Sequence, residues 1–337
     1  MNRKYVSNRV AGIDYLRIIA CFLVVLYHVP HCTNYENVGF NDFFSHGIYT
    51  LCFYIGRLAV PLFFIISGYL LFPSKEEIRP FIRKRLERVL FPTLFWMMVF
   101  FFLGVPLDEG VVNLPYIQRC QHLWYMFALI GVYLTIPLLS PWFIRASDKD
   151  IILVIVLWII TLFYPIINSF TPIELQYSHT GMLFSTPYHS LLNFSGYFGF
   201  VLVGGCIKRF LNVIAMNSMW VCSSLFLTSV IVYAFSLIIH VENEDAYAYL
   251  SIPTAFISVI VFIFFVTTFK KDVSPFVVDV SNLTFGIYLI HPLLLEQFDI
   301  TTLGGYSRLL IAVLAFFVSC LIIKIISLIP YNKYIIG

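Results

Sequence analysis

The chain has 337 residues, 60% of them hydrophobic and only 12% charged. Soluble domains carry about a quarter charged residues, so this composition excludes a water-soluble globular protein and defines an integral membrane protein. The net charge of +3 is too small to point to nucleic acid, and the seven scattered cysteines form no C-x-x-C pair or other metal-ligand spacing.

Ten apolar segments follow one another, each near the roughly 20 residues that a membrane-spanning helix needs. They cover 12–30, 48–72, 87–104, 122–144, 151–170, 190–209, 218–239, 249–269, 283–299 and 306–329. Residues 1–30 have the basic start and apolar run of a signal peptide. They lack its small-residue cleavage pattern, and Arg17 interrupts the apolar part, so they read as a retained first helix. Lys and Arg gather in alternate loops: Arg3, Lys4 and Arg9, the run from Lys75 to Arg88, then Arg145 and Lys149, Lys208 and Arg209, and Lys270 and Lys271. The other loops hold acids and only Arg119 and Arg308. By the positive-inside rule this alternation predicts an all-α, multi-pass helical bundle of about ten spans with both termini cytoplasmic. Residues 1–337 read as a single membrane domain with no separate soluble domain.

The first segment, GIDYLRIIACFLVVLYHVP, carries Asp14, Arg17 and His28. Charges in hydrocarbon are costly, so such residues face a protein interior or a wet cavity. Eleven residues separate Arg17 from His28, which returns them to one helix face about 16 Å apart along the axis. The second segment holds Arg57, followed by Pro61 and Ser67-Gly68, which allow a bend and close packing. Arg57 reads either as a snorkelling side chain or as a fixed positive charge facing a cavity.

The run RPFIRKRLERVLFP, residues 79–92, is an amphipathic entry into the third segment. It serves orientation and anionic-lipid contact, or its Arg83, Arg85 and Arg88 clamp a phosphate-rich ligand. His122 opens the fourth segment at the outer membrane level that His28 also reaches; two histidines at one level suit proton transfer near neutral pH. The long external stretch 171–189, with Glu174, His179 and His189, reads as a lid over a sugar-like ligand or as an interface belt. Gly196, Gly199, Gly204 and Gly205 recur at helical spacing and predict close helix packing. His291 precedes Pro292, whose ring frees a carbonyl in the preceding turn, which favours a structural role for this histidine. Cys32, Cys52 and Cys120 fall at or near the outer side, where a disulfide is possible; each also fits as a buried small hydrophobe.

In order, GIDYLRIIACFLVVLYH, VPLFFIISGYLLF, FIRKRLERVLFP, HLWYMFALIGVYLTIPLL and FGIYLIHPLLL together resemble the acyltransferase-3 family of bacterial membrane O-acyltransferases, over essentially the whole chain. The nearest likeness is to its stand-alone group that acetylates surface polysaccharide. The resemblance implies a bacterial inner-membrane enzyme moving an acetyl or other short acyl group from cytoplasmic acyl-CoA. The acceptor would be a hydroxyl of a glycan or lipid-linked glycan. It carries the family's first-helix pair onto Arg17 and His28, and its basic loop onto Arg83, Arg85 and Arg88. On this reading His28 is general base or acyl carrier, Arg57 or His122 stabilises the oxyanion, and no metal is needed. The alternative is an exporter of a polysaccharide or lipid-linked glycan. Ten spans with a polar seam fit it, but no internal symmetry between halves is visible.

Overall fold

Long runs of Leu, Ile, Val and Phe broken by few polar residues satisfy their backbone groups within one segment, as hydrocarbon requires. The computed structural model describes residues 9–32, 52, 54–104, 121–163, 196–212, 223, 248–270, 273–298 and 307–337, and all its regular structure there is helical. The helices are α1 (Ala11–Cys32), α2 (Ala59–Leu71), α3 (Ile78–Gly104), α4 (Trp124–Arg145), α5 (Asp148–Thr161), α6 (Phe198–Phe210), α7 (Ile252–Thr268), α8 (Pro275–Leu295), α9 (Ser307–Ile326) and α10 (Lys333–Ile336). Among the described residues, six helical stretches are long and apolar enough to cross a membrane: Ala11–Val29, Tyr54–Leu71, Ile78–Leu103, Trp124–Arg145, Pro275–Leu295 and Ser307–Ile326. On α9, Leu310, Leu314, Phe317, Leu321 and Ile325 stay exposed at helical spacing, an apolar stripe that belongs against lipid. The segment expected at 218–239 and the stretch 171–189 lie outside the described residues.

Two boundaries differ from expectation. The third helix starts at Ile78 rather than near 87, because the basic entry and the span form one continuous helix. Pro80 is tolerated in its first turn, where the missing N–H has no intrahelical acceptor. The ninth segment starts at Pro275, eight residues before the apolar run. Asp279, Ser281 and Asn282 lower the hydropathy there, but Asp279 pairs with Lys324 at 3.5 Å and Pro275 presets the first turn.

The chain divides into two compact units. The first comprises Met1–Leu16, Val60–Lys75 and Leu138–Val273. Its packing rests on glycines: a Cβ on Gly68 would lie 2.1 Å from the Val201 carbonyl oxygen, and one on Gly204 would lie 2.3 Å from that of Ile65. Helices α2 and α6 therefore cross backbone to backbone. Gly199 admits the Trp158 indole, and Gly205 faces the Phe72 ring. Asp14, singled out by its place in an apolar helix, is buried in this unit and pairs with Arg9 at 3.1 Å. There it also complements the N-terminal dipole of α1. A capping box between Ser147 and Asp150 starts α5, and Arg209 joins Asp148 at 2.7 Å to the carbonyl of Phe143 at 3.1 Å.

The second unit comprises Arg17–Ala59, Glu76–Pro137 and Ser274–Gly337. Helix α9 runs back along α8, with Gly286 seated on the Ile323 side chain. The Cys21 thiol donates to the Thr284 carbonyl at 3.3 Å, and Phe22 meets the edge of Phe316, so α1 lies along both. The C-terminal turn docks on α3: Trp96 Nε1 donates to the Ile335 carbonyl at 2.9 Å, and Tyr334 packs on Phe91.

Candidate active site

Three histidines of the second unit meet near one end of its helices. Ring centroids of His28 and His291 are 4.9 Å apart, those of His122 and His291 5.4 Å, and those of His28 and His122 6.4 Å. Each is placed by a different local device. His28 lies near the end of α1 with Nδ1 2.8 Å from the Val24 carbonyl one turn earlier. His122 sits in a 3₁₀ turn, Gln121–Leu123, that leads into α4. His291 lies on α8 with Nδ1 2.7 Å from the Tyr288 carbonyl. That carbonyl is the one that residue 292 would claim in an unbroken helix, and residue 292 is proline. The carbonyl freed by Pro292 thus holds the imidazole of its neighbour.

Tyr288 organises the group from both ends. Its backbone carbonyl receives His291, and its hydroxyl donates to the carbonyl of His122. Its ring lies 5.8 Å from His122 and 5.7 Å from Tyr125, while Phe100 closes the other side of His122 at 5.1 Å. His122 and His291 are buried at 4% and 0% exposure, whereas His28 is half-buried. His28 is therefore the most exposed ring of the three. A carbonyl at Nδ1 fixes the neutral ring with its proton there and its lone pair at Nε2. Both His28 and His291 are set this way.

Arg57 is buried and stands where the helix from Tyr54 breaks before α2. Arg57 and Leu58 donate back to Tyr54 and Ile55, three residues away, and Pro61 in the first turn of α2 needs no acceptor. The preceding Gly56 lies against α1: a Cβ there would meet the Tyr27 Cβ at 2.7 Å and the Leu23 carbonyl oxygen at 3.2 Å. The break therefore sits against the turn of α1 that carries His28. Arg17, eleven residues earlier on α1, is half-buried and lies about 16 Å down the axis. Arg308, fully buried in the first turn of α9, lies within electrostatic reach of Cys52. It was read only as a loop charge, since its position at the very start of the last apolar segment hid its burial. Cys52 itself is a free thiol; Cys120 and the side chain of Cys32 lie outside the described residues.

The basic residues form the opposite end of α3. Arg88 precedes Phe100 by twelve residues, about 18 Å of helix. Arg83 is exposed and pairs with Glu87 at 2.8 Å, and Arg85 takes Glu76 with two hydrogen bonds of 2.8 and 3.2 Å while lying over the Phe81 ring. The hydrogen bonds from Arg85 hold the Glu76 carboxyl below the usual carboxylate range. Two of the three arginines expected to bind phosphate thus already hold carboxylates, and Arg88 is exposed beside them. The fork of Arg85 matches a phosphate as well as it matches Glu76. Among the described residues no cluster of His, Cys, Asp or Glu is arranged to hold a metal ion.

Apolar helices with an exposed lipid stripe, carrying a histidine centre at one end, define a multi-pass membrane protein. The family model described as an acyltransferase domain matches residues 10–330, nearly the whole chain. The chain belongs to the acyltransferase-3 family. A serine/alanine racemase of Enterococcus gallinarum is 31% identical over 154 residues, which cover 42% of this chain and 20% of that protein. The match spans about a fifth of the length of that curated relative. No solved structure matches the chain.

Proposed function

We propose that the protein moves an acetyl or other short acyl group from cytoplasmic acyl-CoA to a hydroxyl of a surface polysaccharide or its lipid-linked precursor. The site would work within ten spans of a bacterial inner membrane, both termini cytoplasmic. The observation that carries this reading is the three-histidine centre, whose half-buried member, His28, holds its lone pair at Nε2. An imidazole so fixed is a general base for an acceptor hydroxyl, or a carrier of the acyl group. Arg57 or His122 would stabilise the oxyanion formed at the thioester carbonyl. Arg83, Arg85 and Arg88 would hold the nucleotide end of acyl-CoA. The pantetheine arm would then follow the α1 seam past Arg17 towards His28, spanning the roughly 18 Å between the two ends. The acceptor would enter from the outer side.

The test is incubation of purified protein in detergent with acetyl-CoA labelled on the acetyl group and a membrane glycan extract as acceptor. Wild type and His28→Ala are run together. Thioester loss that falls by about 10²–10⁴-fold in the variant, at equal protein level, is the expected result. Equal turnover in both removes His28 from the chemistry. No turnover by wild type turns the reading towards glycan export.

A further inference from the structure

The residues after α9 double back. Ser327, Leu328 and Ile329 finish the helix with hydrogen bonds to the carbonyls of Ile323, Ile325 and Ile326. Tyr331 then takes a φ of 66°, the left-handed region that is unfavourable for a residue with a Cβ. The Asn332 amide ties the reversal to the Ser327 carbonyl at 2.6 Å. Strain of this kind persists where the surrounding structure enforces it, and it points to a task for the segment it creates. The reversal lays α10 on α3 at the basic end, within the second unit. Tyr334 packs on Phe91, Trp96 holds the Ile335 carbonyl, and a Cβ on Gly337 would lie 3.0 Å from the Arg88 carbonyl oxygen. Lys333 Nζ lies 4.8 Å from the centre of the Tyr334 ring and within electrostatic reach of Glu87. Arg88 and Phe91, three residues apart, share one face of α3. Lys333 therefore adds its charge to the face that carries Arg88, and both side chains are exposed. Glu87 is taken by Arg83 and Glu76 by Arg85; among the described residues neither Arg88 nor Lys333 holds a carboxylate.

We propose that Lys333 is a binding residue for the 3′-phosphate of acyl-CoA, which it takes together with Arg88 between α10 and α3. This rests on the acyl-CoA reading of the basic end. The 3′-phosphate is a monoester with roughly two negative charges on its phosphate near neutral pH, whereas the diphosphate spreads its charge over both phosphorus atoms. A doubly charged group suits two cations brought by two different elements. Arg88 supplies a planar fork and Lys333 a compact point charge. The diphosphate is left to Arg83 and Arg85, once they release Glu87 and Glu76. The reversal at Tyr331 sets Lys333 at this face before the ligand arrives, so less freedom is lost on binding. Lys333 touches none of the reacting atoms. Its contribution is to donor binding and leaves the acyl step unchanged.

The probes are acetyl-CoA and 3′-dephospho-acetyl-CoA, which lacks only that phosphate. Wild type, Lys333→Gln and Lys333→Arg are purified in detergent and matched by size-exclusion profile. Each is titrated with both radiolabelled donors by equilibrium dialysis, and turnover with the membrane glycan extract is read alongside. Lys333→Gln should weaken acetyl-CoA binding about three- to tenfold, the size of a charge-assisted contact at an exposed site. Its affinity for the dephospho donor and its kcat should stay within about twofold of wild type. Lys333→Arg keeps the charge and should bind acetyl-CoA nearly as wild type does. Wild type that binds both donors alike overturns the assignment. So does a loss of equal size with both donors in Lys333→Gln, which gives the charge to the diphosphate, and so does an Arg variant as weak as the Gln variant. Wild-type affinity for acetyl-CoA in Lys333→Gln also overturns it and leaves Lys333 to a lipid headgroup. In each of these cases, acetyl transfer by wild type keeps the acyl-transfer reading intact. Wild type that binds neither donor overturns both.

Discussion

His28 and His291 face each other, 4.9 Å between ring centroids, from two helices that run in the same direction. Two turns earlier on each helix, Cys21 donates to the Thr284 carbonyl, so both contacts share one offset in sequence. Parallel neighbours require an odd number of crossings between α1 and α8. The helix register thus does chemical work: any slip of α1 along α8 separates the rings.

Tyr288→Phe tests how that register is extended to His122. The substitution keeps the ring and removes only the hydroxyl that donates to the His122 carbonyl. A buried carbonyl left without its donor costs about 1–3 kcal/mol, and the 3₁₀ turn carrying His122 loses its anchor. Lower thermal stability in detergent and reduced kcat are expected together. Unchanged values in both measurements would show that the ring contacts alone hold the turn.

Arg57 gives a prediction about the oxyanion. Its segment is held against α1 by Gly56, where a Cβ would lie 2.7 Å from that of Tyr27. Removing a preorganised donor at a developing oxyanion typically costs about 10²–10³ in kcat, so Arg57→Ala should fall in that range. Gly56→Ala should reproduce part of the defect by pushing the break away from α1, although it leaves the guanidinium in place. Single-turnover rates with acetyl-CoA measure both. An Arg57→Ala enzyme with normal single-turnover rate would place the charge outside the reaction.

Much of this was legible in the residues. Charge alternation and apolar runs marked the helices, and the small residues at 199, 204 and 205 do mediate close packing in the first unit. His28 and His122 were paired by membrane level alone, and their rings lie 6.4 Å apart. What stayed hidden depends on side-chain partners that periodicity does not carry. His291 looked structural because Pro292 explained it. The same freed carbonyl is what orients its ring towards the other two. Tyr288 sat unnoticed within an apolar run, since hydropathy does not reveal a hydroxyl that reaches another helix. Asp14, expected to face a protein interior or a wet cavity, is buried and paired with Arg9.

The α2–α6 crossing predicts opposite effects for two glycines. A Cβ on Gly204 would lie 2.3 Å from a carbonyl oxygen of the facing helix, whereas one on Gly131 meets nothing within 4 Å. Backbone cannot rotate away as a side chain does, so Gly204→Ala must part the helices, and about 1–3 kcal/mol of destabilisation is expected. Gly131→Ala relieves a helix-interior glycine and should be neutral or stabilising by up to about 1 kcal/mol. Melting temperatures in one detergent compare the pair directly. A Gly204→Ala protein as stable as wild type would contradict the backbone contact.

The basic end supplies a test of acyl-CoA binding that does not touch the histidines. If Arg85 holds a phosphate of acyl-CoA, it must first release Glu76, which now takes both of its hydrogen bonds. Glu76→Gln weakens that competitor and should lower KM for acetyl-CoA by about two- to fivefold, the modest size expected of an exposed ion pair. Arg85→Ala should raise KM instead, and kcat should hold in both because neither residue reaches the reacting atoms. The pH dependence has a defined sign. Arg85 depresses the Glu76 pKa in the folded protein, so the pair is intact above the unfolded carboxylate value of about 4.3 and is lost as pH falls through the lower folded value. Wild type and Glu76→Gln should therefore differ in KM by a constant factor from pH 8 to pH 5, converging only below about pH 4. Opposite shifts in KM for the two variants would support phosphate capture by Arg85. Identical KM in wild type and both variants would leave this stretch with orientation and anionic-lipid contact as its role, and the nucleotide end of acyl-CoA would have to be held elsewhere.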